Sequence, residues 1–495
     1  MGTVPRRLLT FVVAVVVLAL LAAPAAHARP ARDIAGVALH PWQLQNSSVR
    51  ERVFAGVAAT GAQWVRVDMP WNWVEERGPT VKWGHGSWGA LDAVVNSADR
   101  HGLKVIGILG FTPRWASDSG DPWAYPYARP FEDFFTAALR RYPQIPAWEL
   151  WNEPNFSRFS KPGPDPGKFV EFMRSARRVR DGVGSQAKLI SGGLAPGVDI
   201  DIFTWLNEVA IRGGLSLIDG FGVHPYSVVD PDDPRSWMMK LEMIHNRLAE
   251  LGRPDLPLWL TEYGSPTTQA ASGYGPPLND QQQADRLRNA FALATRFDWI
   301  ENLTWYEYRD SCDEALDPEC NFGLVHLDLS GKPSYDAFRE VIAGATAKLR
   351  PQLTLTSRIR AARLPARRSA ARASKFAAPA KHKASKRPSA KRKASKRKRA
   401  KRRAMKTRTV NRITVSGALT LPGTPWPNAF IKVLLPRRSG PRKAVAIVVK
   451  EGYFWARFEG PELRSGTVEV RYSGSDVYLP LTAQVQVVSS ATTKR

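Results

Sequence analysis

Between residues 34 and 345 the chain repeats one pattern eight times: a short apolar run, then an amphipathic stretch. The runs are Ile34–Leu39, Trp64–Val67, Val105–Leu109, Ala147–Trp151, Lys188–Ser191, Gly220–Val223, Leu258–Thr261 and Leu303–Tyr306. Runs this short suit strands, and the stretches between them carry helical spacing. Leu91, Val94, Val95 and Ala98 recur at i, i+3, i+4 and i+7 before Gly102, and Phe131, Phe134, Phe135, Ala138 and Leu139 make a second stripe after Pro130. Strands that alternate with helices pair in parallel, because each helix carries the chain back across the sheet. Eight such units predict an α/β fold, a (β/α)8 TIM barrel over residues 29–346, with its working face at the C-terminal ends of the strands.

At 495 residues the chain is too long for a single core. Residues 1–28 predict an export signal: Arg6 and Arg7 precede an apolar run from Leu8 to Ala23, and Ala26-His27-Ala28 forms a small-x-small cleavage site. That run is shorter than the roughly 18–20 residues a membrane span needs. The expectation is a secreted, monomeric protein, held at the cell wall if its basic segment finds a partner there. Export permits disulfides, and the two cysteines, Cys312 and Cys320, share one loop and are expected to pair.

The net charge of +26 is not spread evenly. Residues 347–410 hold 25 Lys or Arg and no Asp or Glu, so the rest of the chain carries 26 − 25 = +1. This segment is dominated by Ala, Ser, Pro, Lys and Arg and predicts a disordered linker. Its cations suit anionic cell-envelope polymers or an acidic polysaccharide; its composition resembles histone-like tails, yet nucleic acid is the less favoured partner. A plain spacer is the alternative. Residues 411–495 regain alternation, as in Ile413, Val415, Gly417 and Leu419, and predict a small β-sandwich. Its closing stretch, Tyr472-Ser473-Gly474-Ser475-Asp476-Val477-Tyr478-Leu479-Pro480, resembles bacterial immunoglobulin-like repeats.

Two barrel strands end in glutamate: Trp148-Glu149-Leu150-Trp151-Asn152-Glu153-Pro154-Asn155 on the fourth and Leu258-Trp259-Leu260-Thr261-Glu262-Tyr263-Gly264 on the seventh. Strict strand alternation puts Glu149, Trp151 and Glu153 on one face, and Leu258, Leu260 and Glu262 on one face. If both faces line the barrel, Glu153 and Glu262 meet at its mouth. Two carboxylates about 5 Å apart repel by roughly 3 kcal/mol at an effective dielectric near 20, so one keeps its proton.

These segments resemble the catalytic strands of clan A glycoside hydrolases, families 5 and 39 above all. The resemblance implies a retaining O-glycosidase, of β bonds in an oligo- or polysaccharide. Glu153 would be the acid/base and Glu262 the nucleophile. It implies that Arg66 contacts the nucleophile, that Asn152 binds a sugar 2-hydroxyl, and that His224 and Tyr226 form a pair whose tyrosine holds the nucleophile. It implies that Trp305 floors the cleaved subsite. Trp71, Trp73 and Trp115 are candidates for neighbouring subsites. Glu149 is expected as a buried partner of an interior arginine, and His40 as either site wall or loop. The run Phe111-Thr112-Pro113-Arg114-Trp115 lacks a histidine that many family 5 members carry, which favours family 39. Glu307, Arg309 and Asp310 lie outside the resemblance and are candidates for contacts to substrate hydroxyls or an acidic sugar. No metal or nucleotide motif appears, and no cofactor is expected. The alternatives are a carbohydrate-binding protein without turnover and a surface adhesin.

Overall fold

The computed structural model describes residues 29–75, 87–345, 351–365, 407–421, 429–450, 452–460, 462–474, 478 and 480–487. The export signal lies outside them.

The barrel strands are β1 (Ala35–Leu39), β2 (Trp64–Pro70), β3 (Lys104–Gly110), β4 (Ala147–Asn152), β5 (Lys188–Gly193), β6 (Phe221–Gly222), β7 (Leu258–Tyr263) and β8 (Ile300–Trp305). Each is followed by a helix: α1 (Ser47–Ala59), α2 (Gly89–Arg100), α3 (Ala128–Arg141), α4 (Pro166–Val183), α5 (Ile202–Ile211), α6 (Leu241–Glu250), α7 (Asp280–Ala294) and α8 (Pro333–Ile342). The strands pair in parallel in the order β5-β4-β3-β2-β1-β8-β7-β6. Bridges from Ile190 to Gly220 and from Leu194 to Val223 join β5 to β6 and close the ring. The expected (β/α)8 barrel is the fold.

Local chemistry sets the helix ends. Asp165 caps α4 by accepting from the Gly167 and Lys168 amides, Pro166 follows at the first helical position, and Gly184 stops the helix at φ 74°. Asn279 and Gln282 form a reciprocal capping box on α7. Inside the ring, Ile106, Ala147, Ile190 and Trp259 come from four strands and form a sealed cluster against Trp64. This plug makes the interior a packed core rather than a pore. The Cys312–Cys320 disulfide pins the loop after β8.

The second body is all-β. It has β9 (Gln352–Pro365), β10 (Thr407–Thr420), β11 (Ala429–Leu435), β12 (Lys443–Val449), β13 (Tyr453–Gly460), β14 (Gly466–Tyr472) and β15 (Leu481–Val487). Two antiparallel sheets run β13-β10-β9 and β12-β11-β14-β15. Ile413 and Val415 of one sheet and Val433, Val468 and Val470 of the other are buried.

One boundary differs from expectation. Gln352–Pro365, inside the segment read as linker, is a strand that pairs with β10 from Gln352↔Thr420 to Pro365↔Thr407. Its sequence, Leu353-Thr354-Leu355-Thr356-Ser357, alternates, but the cations that follow obscured the pattern. The basic residues 366–406 therefore connect two hydrogen-bonded strands of one sheet; they do not connect the barrel to the sandwich. Replacing 366–406 with a five-residue Gly/Ser turn shortens the loop about eightfold and is expected to stabilise the β body by roughly 2 kcal/mol through loop closure. Deleting 352–365 removes a sheet strand and is expected to unfold it. Thermal denaturation of both variants checks this.

Candidate active site

The site is organised around a buried cation. Arg66, on β2 and 2% exposed, donates from Nε to Glu149 at 2.6 Å, from Nη1 to Glu262 at 2.5 Å and from Nη2 to Asn152 at 3.0 Å. Glu149 is the buried structural partner that was expected. It also accepts from the Gly193 amide at 3.0 Å and from the Thr261 hydroxyl at 2.8 Å. Arg66 and Glu149 thus hold the tops of β2, β4, β5 and β7 in register.

The path by which the glutamates reach the site departs from strict alternation. On β4, Trp151 and Glu153 adopt left-handed φ values of 77° and 41°, conformations that a bulky L-residue enters only under tertiary constraint. Trp151 turns away: its ring packs on Phe172 of α4 and its indole N–H reaches the Phe159 carbonyl. It does not share the face of Glu149. On β7 the interior positions are Trp259, in the core plug, and Thr261, on Glu149. Leu258 and Leu260 have the opposite parity. The register shift between Leu260 and Tyr263 lets Glu262 join Thr261 on the inside. Both corrections have one cause: a barrel rim needs irregular backbone to aim two long acids inward.

His224, fully buried after β6, places Nδ1 3.0 Å from Glu153 and Nε2 3.1 Å from Thr261 Oγ1. Gly193 makes room for it, since a Cβ there would lie 2.1 Å from the imidazole. Tyr226 donates to Glu262 Oε2 at 3.0 Å. Glu153, His224 and Glu262 each offer a side-chain atom within 4.8 Å of the others'.

The protonation pattern follows from charge. Three buried carboxylates (Glu149, Glu153, Glu262) face two cationic partners, Arg66 and His224. Burial disfavours a charged imidazole, but the Glu262 carboxylate, then Glu149 and Glu153, overcome it and push the His224 pKa up to about 9. Glu262 is also opposed by burial, yet His224 and Arg66 hold its carboxyl below the ordinary value. Glu153 is raised, first by burial and then by Glu262, despite its bond to His224. Glu153 therefore holds its proton to higher pH than Glu262 does. The same three side chains have metal-ligand types, but both ring nitrogens of His224 are engaged and Arg66 already neutralises Glu262. The donor set is suited to sharing protons, and it fits a cation poorly.

The two acids open into a cleft of about 630 Å3 lined by Arg66, Asp68, Asn152, Tyr226 and a rim of aromatics: Trp42, Phe111, Trp123, Phe156, Phe159, Trp237, Tyr274 and Tyr306. Arg66, Asn152, His224 and Tyr226 gather at the acids. The four candidate tryptophans, Trp71, Trp73, Trp115 and Trp305, do not line the cleft. Trp305 is buried, with its N–H on the Phe322 carbonyl and its ring edge-on to Tyr263; the next residue, Tyr306, lies at the cleft instead. Trp71 stacks on Phe134 of α3, and Trp115 packs edge-on against Trp71. Their aromatic character served the barrel–helix layer. His40 is site wall: it lines the cleft, bonds Asp68 at 2.8 Å and stacks on Trp42. Asp68 was missed, although its place two residues beyond Arg66 on β2 puts both on one face. Glu307 sits behind His40 at 3.5 Å, and burial raises its pKa to about 7. Arg309 and Asp310 are structural: Arg309 holds the Leu327 carbonyl, and Asp310 pairs with buried Lys332.

No protein-family profile matches the chain. In sequence it is 24% identical over 285 residues to a β-xylosidase of Geobacillus stearothermophilus, an alignment covering 50% of this chain and 54% of that protein. The chain thus matches about half the length of this curated relative. Among solved structures it is similar to a family 39 glycoside hydrolase from Bacteroides cellulosilyticus WH2, at 19% identity and TM-score 0.51 over 86% of this chain and 80% of that one. It is also similar to a monomeric β-xylosidase from Caulobacter crescentus CB15, at 14% identity and TM-score 0.52 over 90% of this chain and 96% of that one. The chain has the fold of the clan A glycoside hydrolases.

Replacing Arg66 with methionine leaves Glu149 and Glu262 buried without their shared cation. Losing one partner of a buried ionic network costs about 3–5 kcal/mol, and chemical denaturation of the Arg66→Met variant is expected to show a loss in that range.

Proposed function

We propose that the barrel is a retaining glycoside hydrolase acting on β-glycosidic bonds of an oligo- or polysaccharide. The observation that carries this is the pair Glu153 and Glu262, with carboxylate oxygens within 4.8 Å and pKa values shifted in opposite directions. Retaining enzymes set their carboxyl groups about 5–5.5 Å apart, whereas inverting enzymes leave about 6.5–9.5 Å for a water. The Geobacillus relative, a β-xylosidase, supports the β-linked class.

In this mechanism the aromatic rim receives sugar faces, whose C–H groups pack on rings. Glu153 delivers its proton to the leaving oxygen. Glu262 attacks the anomeric carbon and forms a glycosyl-enzyme. Arg66 holds Oε1, so Oε2, bonded to the neutral Tyr226 hydroxyl, is the attacking atom. With Glu153 now ionised, it takes a proton from water, the water attacks the same carbon, and Glu262 departs. Two displacements retain the configuration. His224 holds Glu153 near its proton-bearing position and helps keep Glu262 ionised.

Residues 1–28 are proposed to export the protein, and the basic loop 366–406 to hold it on anionic envelope polymers. Strand orders β13-β10-β9 and β12-β11-β14-β15 support an immunoglobulin-like β body, with the basic loop joining its first two strands.

Glu262→Ala is expected to abolish turnover of every glycoside. Glu153→Ala is expected to keep activity on aryl glycosides with activated leaving groups and to regain rate with azide. NMR of the first-formed product is expected to show retention. Near-wild-type rates in both variants would end this reading.

The pH profile follows from the two shifts. Glu153 must carry its proton; its pKa is raised, so activity is full below that value and lost as pH climbs through it. Glu262 must be ionised; its pKa is lowered, so activity is lost as pH falls through it. The kcat/KM profile is expected to be a broad bell. Tyr226→Phe removes a bond to the ionised form of Glu262 and is expected to move the acid limb upward.

A further inference from the structure

The outer face of the β13-β10-β9 sheet combines features that packing does not explain. Along β13, Phe454, Ala456 and Phe458 are buried, so Tyr453, Trp455 and Arg457 point outward. Trp455 is 59% exposed and Tyr453 is 65% exposed. An indole this exposed offers a flat apolar face with a polar N–H edge. Here the Arg457 guanidinium lies 5.1 Å above its ring. Among the described residues no carboxylate lies within salt-bridge distance of Arg457.

The neighbouring strand supplies the rest. Register places Ser416 opposite Trp455 and Thr414 opposite Arg457, with Thr356 of β9 beyond Ser416. Together with Arg412, these residues line a groove of about 500 Å3. The Thr356 and Ser416 hydroxyls are 2.8 Å apart, forming a hydroxyl pair beside the indole. Arg412 shares its charge with Glu459 at 2.6 Å, which leaves Arg457 as the groove's free cation among the described residues. Further along the same strand pair, Pro365 and Thr407 mark where the chain enters and leaves residues 366–406. Those residues hold 19 Lys or Arg and no acid. Residues 366–406 therefore join two of the three strands that line the groove.

We propose that this face is an accessory binding site for a polysaccharide whose sugars carry carboxylates. A flat indole offers a sugar ring its apolar face, the hydroxyl pair matches sugar hydroxyls, and the Arg457 fork matches a carboxylate. A neutral glycan uses the indole but leaves Arg457 unmatched. Nucleic acid also stacks on tryptophan and pairs with arginine; the preference for sugar over nucleic acid rests on the glycosidase reading of the barrel.

The test uses the full chain, with polygalacturonate as probe and neutral galactan and single-stranded DNA as comparators. Binding is measured at low salt and at 0.5 M salt, where the loop's exposed charges are largely screened. Trp455→Ala and Arg457→Glu are each expected to weaken polygalacturonate binding about tenfold at high salt. Thermal stability and kcat/KM on a small aryl glycoside are expected to be unchanged, since neither residue is among those lining the catalytic cleft. Wild-type binding by both variants would overturn the proposal. So would equal affinity for galactan, which removes the carboxylate, or tighter binding to DNA with the same Trp455 dependence, which makes the face a nucleic-acid surface. An inactive barrel with an intact Trp455-dependent polygalacturonate response would sink the catalytic reading and leave this one standing.

Discussion

Arg66 is the charge on which the site depends. A guanidinium sealed at the top of a barrel is costly unless its donors are matched. Here three directions of the fork meet Glu149, Glu262 and Asn152. Glu149 in turn ties down the Gly193 amide and Thr261. The strand ends are thus held by the same network that sets the charge of the site.

That network pushes the pKa values of the two acids apart. Arg66 and His224 face three carboxylates, and the acid with less positive charge around it holds its proton to higher pH. Arg66 bonds Glu262 directly but not Glu153, which keeps only His224. Two identical side chains acquire opposite pKa shifts from their surroundings. His224 can sit between them because Gly193 has no side chain.

The β body draws its interest from its outside. Its inward residues make an ordinary sandwich core, while one outer face presents Trp455, Arg457 and a hydroxyl pair. Two of the three strands that line this groove flank the basic segment. Charge that reads as an interdomain tether in the linear sequence lies, in chain order, between two paired strands of one sheet.

Much was legible from the sequence alone. Periodicity located all eight barrel strands, because a buried parallel strand is a short apolar run wherever it occurs. Asn152-Glu153-Pro154 and Thr261-Glu262-Tyr263 marked the two acids by their place at strand ends, and Arg66 by its place on β2. Tertiary structure decided the rest. Strict alternation put Trp151 with Glu149 and Leu260 with Glu262; left-handed turns at Trp151 and Glu153 and the shift on β7 reversed this, because the rim geometry is set by neighbouring strands rather than by local propensity. It decided which aromatics face the cleft, since the packed Trp71, Trp115 and Trp305 and the cleft-lining Trp42 and Tyr306 are all large aromatics and differ in what packs on them. It decided that Gln352–Pro365 is a strand, because its pairing partner lies beyond the basic loop and no local signal reaches that far.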